Sequence, residues 1–203
     1  MSDVPTLFFD IGGVVLSNAW DTAARRRAAE AFGLDFQEFQ TRHEMLKTAF
    51  ETGRLTLVGY VQKAVFYRPR NFAPEEFTAF MFSESKPIPE TLDWLRTLAA
   101  TRKYRLFTLN NESRELHEYR VRAFRLDEVF ECFFTSCYLG QAKPDEGIYL
   151  NALGIAGCHK DRAVFIDDRS LNVEPAEALG LTAVQFSGVE PLRAFLKEHG
   201  VES

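Results

Sequence analysis

Three short apolar runs along the chain each end in polar residues. Leu7-Phe8-Phe9 stops at Asp10, with Gly12-Gly13 just beyond; Leu106 to Leu109 leads into Asn110-Asn111; Ala163 to Ile166 leads into Asp167-Asp168. Unbroken apolar runs of this length predict strands covered on both faces, as in a parallel sheet. Between them the period changes. Leu92, Leu95 and Leu98 share one face of a helix over Glu90–Thr101, Asp145–Leu153 reads as helical, and Glu174–Leu179 gives another helix after the third run. Strands alternating with helices predict right-handed crossovers and an α/β fold with a doubly wound parallel sheet. In open sheets of that kind ligands bind beyond the carboxyl ends of the strands, where the polar pairs gather.

Residues 18–86 break this rhythm. The segment is too long for a single crossover and rich in helical periodicity, with candidate helices at Asp21–Phe32, Asp35–Phe50 and Pro74–Phe82 and breaks at Gly33, Gly53, Pro69 and Pro87-Ile88-Pro89. It reads as a helical unit at 18–86 inserted into an α/β unit made of 1–17 and 87–203. The aromatic stripe Phe36, Phe39, Phe50, Phe66, Phe72, Phe77, Phe80 and Phe82 is assigned to packing rather than to substrate.

Composition narrows the classes. A chain of 203 residues suits one core carrying an insertion, and 46% hydrophobic with 26% charged residues excludes disordered and fibrous types. A net charge of -5 argues against a broad nucleic-acid surface. No apolar run is long enough to span a bilayer, and Met1 to Asp10 lacks a secretory pattern, so the expectation is a cytoplasmic protein without membrane or nucleic-acid partners, a monomer or weak homodimer. Cys132, Cys137 and Cys158 are odd in number and lack zinc-site spacing, which predicts free, mostly buried thiols.

Asp10 at one strand end, Asn110 at another, Lys143 before Pro144 and Asp167-Asp168 at a third form a set of acceptor, donor, cation and metal ligands. The stretches FFDIGGVVLSN, LFTLNNES, GQAKPDEGIY and FIDDRSLNVEPAEALG, in that order over residues 8 to 180, resemble the haloacid dehalogenase superfamily in its helical-cap subclass, with the insertion where a cap belongs. The resemblance implies a Rossmann-like core and an aspartyl-phosphate mechanism acting on a small phosphorylated metabolite. By the same resemblance Asp10 is the nucleophile, and Asp10, the Gly12 carbonyl and Asp168 bind Mg2+ directly, with Asp167 direct or through water. Lys143 neutralises the phosphoryl oxygens, Asn110 and Asn111 contact phosphate, and Asn172 supports the acidic pair. A carboxylate is a weak nucleophile toward an anion, so a cation beside it is a chemical necessity, and magnesium prefers oxygen ligands.

Two positions depart from the family pattern. Asn110 stands where Ser or Thr is usual, though its amide can still donate to phosphate. Gly12 replaces the second Asp that serves these phosphatases as general acid and base, a role worth about 100- to 10,000-fold. Substrates with good leaving groups suffer least, which points to anomeric sugar phosphates, acyl phosphates or aryl phosphates, and to resemblance with sugar-phosphate phosphatases that carry Gly here. A catalytically weak binding or regulatory domain is one alternative; a 2-haloacid dehalogenase, which needs no metal, is another. A receiver domain has the acidic pair and the acceptor in reverse order. Arg25, Arg26, Arg27, Arg54, Arg68 and Arg70 are candidate substrate contacts in the insertion, whereas His43 and His117 read as surface or satisfied residues.

Overall fold

The computed structural model describes residues 5–201, and the sequence readings that fall on residues 1–4 and 202–203, part of the leader comparison among them, lie outside it. Five parallel strands form one sheet in the order β3-β2-β1-β4-β5: β1 Thr6–Phe9, β2 Arg105–Asn110, β3 Cys132–Thr135, β4 Ala163–Asp167 and β5 Thr182–Gln185. The first apolar run is the central strand, buried along its whole length. Alternation decides which layer each of its residues serves. Leu7 and Phe9 face one side, with Leu92, Leu95 and Leu98 of α5 (Pro89–Thr101) and Leu192 and Leu196 of α10 (Val189–Glu198). Phe8 faces the other, with Ile148, Tyr149 and Ala152 of α8 (Glu146–Ala156) and Val173 and Ala176 of α9 (Ser170–Ala178). Each such large side chain, withdrawn from water, contributes about 1.5–3 kcal/mol.

Register then places the chemistry. Phe9 pairs with Thr108 on one side and Ile166 on the other, so Asp10 emerges level with Asp167, and its amide donates to the Ile166 carbonyl at 2.8 Å.

Between β1 and β2 lie α1 (Thr22–Phe32), α2 (Phe36–Glu51), α3 (Leu57–Ala64) and α4 (Pro74–Ser83). Asp21, Asp35 and Thr56 cap the first three through their side chains, and Pro74 opens the fourth, where its missing N–H costs nothing. Their shared interior holds Trp20, Phe39, Phe50, Tyr60, Phe77 and Met81, with Phe50 stacked on Tyr60 at 4.3 Å. The aromatic stripe is therefore packing: Phe36, Phe66, Phe72, Phe80 and Phe82 lie half-buried against the same cluster. The two connections to the sheet run side by side, with Ser17 N to Lys86 O at 2.8 Å and Ile88 N to Val15 O at 3.0 Å.

α6 (Arg114–Phe124) and the short α7 (Ser136–Leu139) complete the fold. No described helix is long and apolar enough to cross a membrane. Cys137 is buried, Cys132 and Cys158 are half-buried, and all three are free.

Candidate active site

Lys143 sits at the centre of the strand tips. Its ammonium reaches Asp167 Oδ2 at 2.5 Å, the Leu109 carbonyl at 2.7 Å and Asp10 Oδ1 at 3.1 Å, which uses all three of its donors. Burial alone would lower its pKa, but Asp10 and Asp167 outweigh that and hold it above the ordinary lysine value. Burial likewise pushes Asp10 up to about 6, opposed chiefly by Lys143. The backbone of Lys143 is clamped by Asn111, whose Oδ1 accepts the Lys143 amide and whose Nδ2 donates to the Lys143 carbonyl, both at 2.8 Å. Asn111 thus positions the lysine, and it also lines the cleft.

Carboxylate oxygens of Asp10, Asp167 and Asp168 lie within 4.8 Å of one another. Three carboxylates face the buried Lys143 ammonium and, at 3.9 Å, the half-exposed Arg169 guanidinium, so the cluster keeps a net negative charge of the sign a divalent cation answers. Asp167 is fully buried and its oxygens are saturated: Lys143 and Asn172 Nδ2 donate to Oδ2, while the Arg169 amide and Asn172 donate to Oδ1. Asp168 is different. Its Oδ2 accepts from Asn18 Nδ2 at 3.2 Å, but its Oδ1 is buried without a hydrogen-bond partner among the described residues, with Arg169 Nε 3.9 Å away. An orphaned carboxylate oxygen in such a cluster fits a metal ligand. The turn after β1 is shaped to it: Gly13 has φ 75°, and a Cβ there would stand 2.1 Å from Asp168 Oδ2. Gly12 lines the same cleft and offers no side chain to move a proton.

Asn110 lies elsewhere. It ends β2 with its Oδ1 accepting from Thr135 Oγ1 at 3.2 Å and its Nδ2 buried without a partner among the described residues, and it is not among the residues lining the cleft. Of the six arginines singled out in the insertion, only Arg25 lines the cleft, and its guanidinium is already committed to Gln40, the Trp20 carbonyl and Thr22. Arg27 pairs with Glu84, Arg68 with Glu38, Arg26 stacks on Phe36, Arg54 donates to Thr52, and Arg70 donates to the Val65 carbonyl.

The cleft between strand tips and helices encloses about 380 Å³. Sequence reasoning missed three of its walls. Asn18 holds Asp168 from the start of the insertion. Glu112 is buried beside Asn111, paired with Arg120 at 3.0 Å, and burial raises it to about 7 against the pull of that arginine. The signal was present: Arg120 follows Glu112 by eight residues, with the intervening chain forming two turns of α6. His43, read as a surface or satisfied residue, is buried, lines the cleft and touches Tyr60 Oη at 2.9 Å. His117 is also buried, but packs between Phe133 and Tyr138 away from the cleft.

Residues 4–180 match the haloacid dehalogenase-like hydrolase family. The chain belongs to that family, and it is a hydrolase. Over 199 residues it is 25% identical to flavin mononucleotide hydrolase 1, a chloroplastic protein of Arabidopsis thaliana, covering 98% of this chain and 78% of the relative. A HAD family enzyme from Bacteroides thetaiotaomicron, crystallised with magnesium and inorganic phosphate, superposes with a TM-score of 0.74 at 22% identity, over 91% of this chain and 95% of that one. A dehalogenase superposes with a TM-score of 0.65 at 18% identity, over 91% and 85%. These likenesses in structure establish a shared α/β fold.

Proposed function

We propose that this hydrolase cleaves a small phosphomonoester through an aspartyl-phosphate, with residues 18–86 acting as a cap over the site. The observation that carries the reading is the cluster of Asp10, Asp167 and Asp168 at the strand tips, together with the oxygen of Asp168 that has no hydrogen-bond partner among the described residues. Asp10, the backbone carbonyl of Gly12 and Asp168 would hold Mg2+, while Asp167, expected direct or through water, has its oxygens taken by Lys143, Asn172 and the Arg169 amide and would act from behind them; when bound, the ion would screen the nucleophile from the anionic ester and polarise its oxygens.

The chain's own residues supply the rest. The free carboxylate oxygen of Asp10 attacks phosphorus, and the bond to the leaving oxygen breaks as the new one forms. Lys143, fixed by Asn111 and Asp167, balances the charge that gathers on the phosphoryl oxygens. Asn110 would act on phosphate only through the unpartnered Nδ2 at its strand end. Water then attacks the aspartyl-phosphate, which releases inorganic phosphate and restores Asp10. With Gly12 in place of the usual acid, the leaving oxygen departs largely without protein proton donation, which favours stable leaving groups such as those of an anomeric sugar phosphate, an acyl phosphate or an aryl phosphate. The relative named as a flavin mononucleotide hydrolase, and the one crystallised with magnesium and phosphate, support phosphate chemistry.

Likeness to a dehalogenase keeps a metal-free attack on carbon as the second reading, and the excess acidic charge at the strand tips speaks against it. Turnover of a phosphomonoester panel with magnesium, lost to background in Asp10→Asn and on chelation, is the expected result. Turnover of 2-haloacids without metal would replace this reading, and phosphate binding without turnover would leave a binding domain.

A further inference from the structure

The cap wall of the cleft holds a histidine whose tautomer is fixed from behind. Trp20 Nε1 donates to Tyr60 Oη at 3.0 Å, and the same oxygen lies 2.9 Å from His43 Nδ1. An indole nitrogen can only donate, so Tyr60 accepts there and keeps one proton to give. Tyr60 is fully buried, and burial raises its pKa further above the phenol range, so the proton stays on oxygen and needs a partner. His43 Nδ1 is the acceptor within reach. Burial, aided by Arg25 and Lys47, drives the His43 pKa down to about 3, which keeps the ring neutral. A neutral imidazole that accepts at Nδ1 carries its hydrogen on Nε2.

We propose that His43 is a specificity residue, offering Nε2–H to a hydroxyl oxygen of a polyol or sugar-like leaving group. This rests on the phosphomonoester reading and extends it from the phosphate to the rest of the substrate. The phosphate has its cation in Lys143 at the strand tips, and a neutral donor on α2 adds nothing to charge balance there. Its surroundings select the partner. Asp21, Glu44, Glu51, Arg25 and Lys47 line the same wall, and a hydroxyl can accept from His43 while donating to a carboxylate. An aromatic ring offers neither, and among the described residues Trp20, Pro144 and Leu171 are the apolar ones along the lining.

The test compares a panel of hexose and polyol phosphates with para-nitrophenyl phosphate, in wild type, His43→Phe, His43→Gln and Tyr60→Phe. His43→Phe keeps a ring without the donor, and is expected to lower kcat/KM on the preferred hydroxylated substrate about 10-fold while para-nitrophenyl phosphate changes less than about 2-fold. His43→Gln sets an amide nitrogen close to the Nε2 position and recovers part of the loss. Tyr60→Phe frees the tautomer and gives an intermediate effect. Nitrogen-15 NMR of the wild type reads the tautomer directly, with the proton expected on Nε2. Equal losses on both substrates, no loss on either, a wild type that prefers aryl phosphate to the whole panel, or a proton on Nδ1 would each overturn the proposal alone. Absence of any phosphatase turnover in the wild type defeats the phosphomonoester reading and this one with it.

Discussion

At the strand tips the charged groups answer one another: Lys143 holds Asp10 and Asp167, Asn111 holds Lys143, Asn172 holds Asp167 and Asn18 holds Asp168. On the facing helices the polar groups are braced from behind and leave one edge to the cleft, as Tyr60 does for His43, or are wholly committed within the cap, as Arg25 is. On the function proposed above, the difference follows from the task. A step that develops charge needs a preorganised electrostatic frame whose members cannot relax. A wall that selects among neutral groups needs donors with fixed direction, and fixed direction can be supplied by the apolar cluster of the cap. The walls meet at Arg120, which bonds Glu112 on the sheet side and both connections to the cap, Ser85 Oγ at 3.1 Å and the Ser17 carbonyl at 2.8 Å.

The strongest way to break the contrast is to take the cation out of the frame. Lys143→Met leaves Asp10 and Asp167 buried without their counter-charge, which should destabilise the metal-free protein by about 3–5 kcal/mol. Urea unfolding with a chelator measures it, and magnesium should restore part of the loss by supplying positive charge in its place. In turnover the same change should cost about 100- to 1,000-fold in kcat. A Lys143→Met protein as stable as wild type would mean that the tips carry no net strain of charge.

A smaller effect is expected from the backbone. Gly13→Ala puts a side chain at φ 75°, where strain costs about 1–3 kcal/mol. Its Cβ must also displace Asp168 Oδ2, which would lie 2.1 Å away. Metal affinity, read by calorimetry, should therefore fall more than stability does. If affinity holds while stability drops, the turn shapes the fold and not the acidic cluster.

The two walls were also unequally legible in the sequence. Asp10, Asn110 and Asp167 stood out because each follows an apolar run, and register in a parallel sheet brings such ends together without further information. Lys143 was found by motif order, and the role of Asn111 as its clamp was not, because a contact between two loops leaves no local spacing. β3 and β5 were missed: CFFT is four residues embedded among other apolar positions, and TAVQ is an edge strand with polar ends. α3 was missed for its brevity, at 8 residues. On the cap the arginines attracted notice as charges, yet guanidinium groups serve packing and helix ties as readily as ligands. His43 carried no partner within a turn of its own helix; its orientation comes from Tyr60 on α3 and Trp20 before α1, residues 17 and 23 positions away.

The smallest effect sets a histidine of each region against the other. His43 in the cap is held near pKa 3 and His117 beside the sheet near 4, burial being the main cause in both. Both values lie below the ordinary 6.5, so on acidification the unfolded chain takes up protons that the folded one refuses. Their contribution is complete above pH 6.5 and falls as pH drops, by about 1.4 kcal/mol per pH unit for each group well below that point. Glu112 works the other way: raised from 4.5 to about 7, it keeps its proton in the fold while the unfolded chain loses it, so it gains stability on acidification across that window. The wild-type curve is therefore flattened, and the informative quantity is a difference between proteins. The stability advantage of wild type over His43→Gln should shrink steadily from pH 6.5 down to about 3, whereas that over His117→Asn should stop shrinking near 4. A pH-independent advantage of wild type over His43→Gln would mean that the cap histidine titrates as freely in the fold as in the unfolded chain, and that its ring is not the fixed neutral donor on which the contrast between the walls depends.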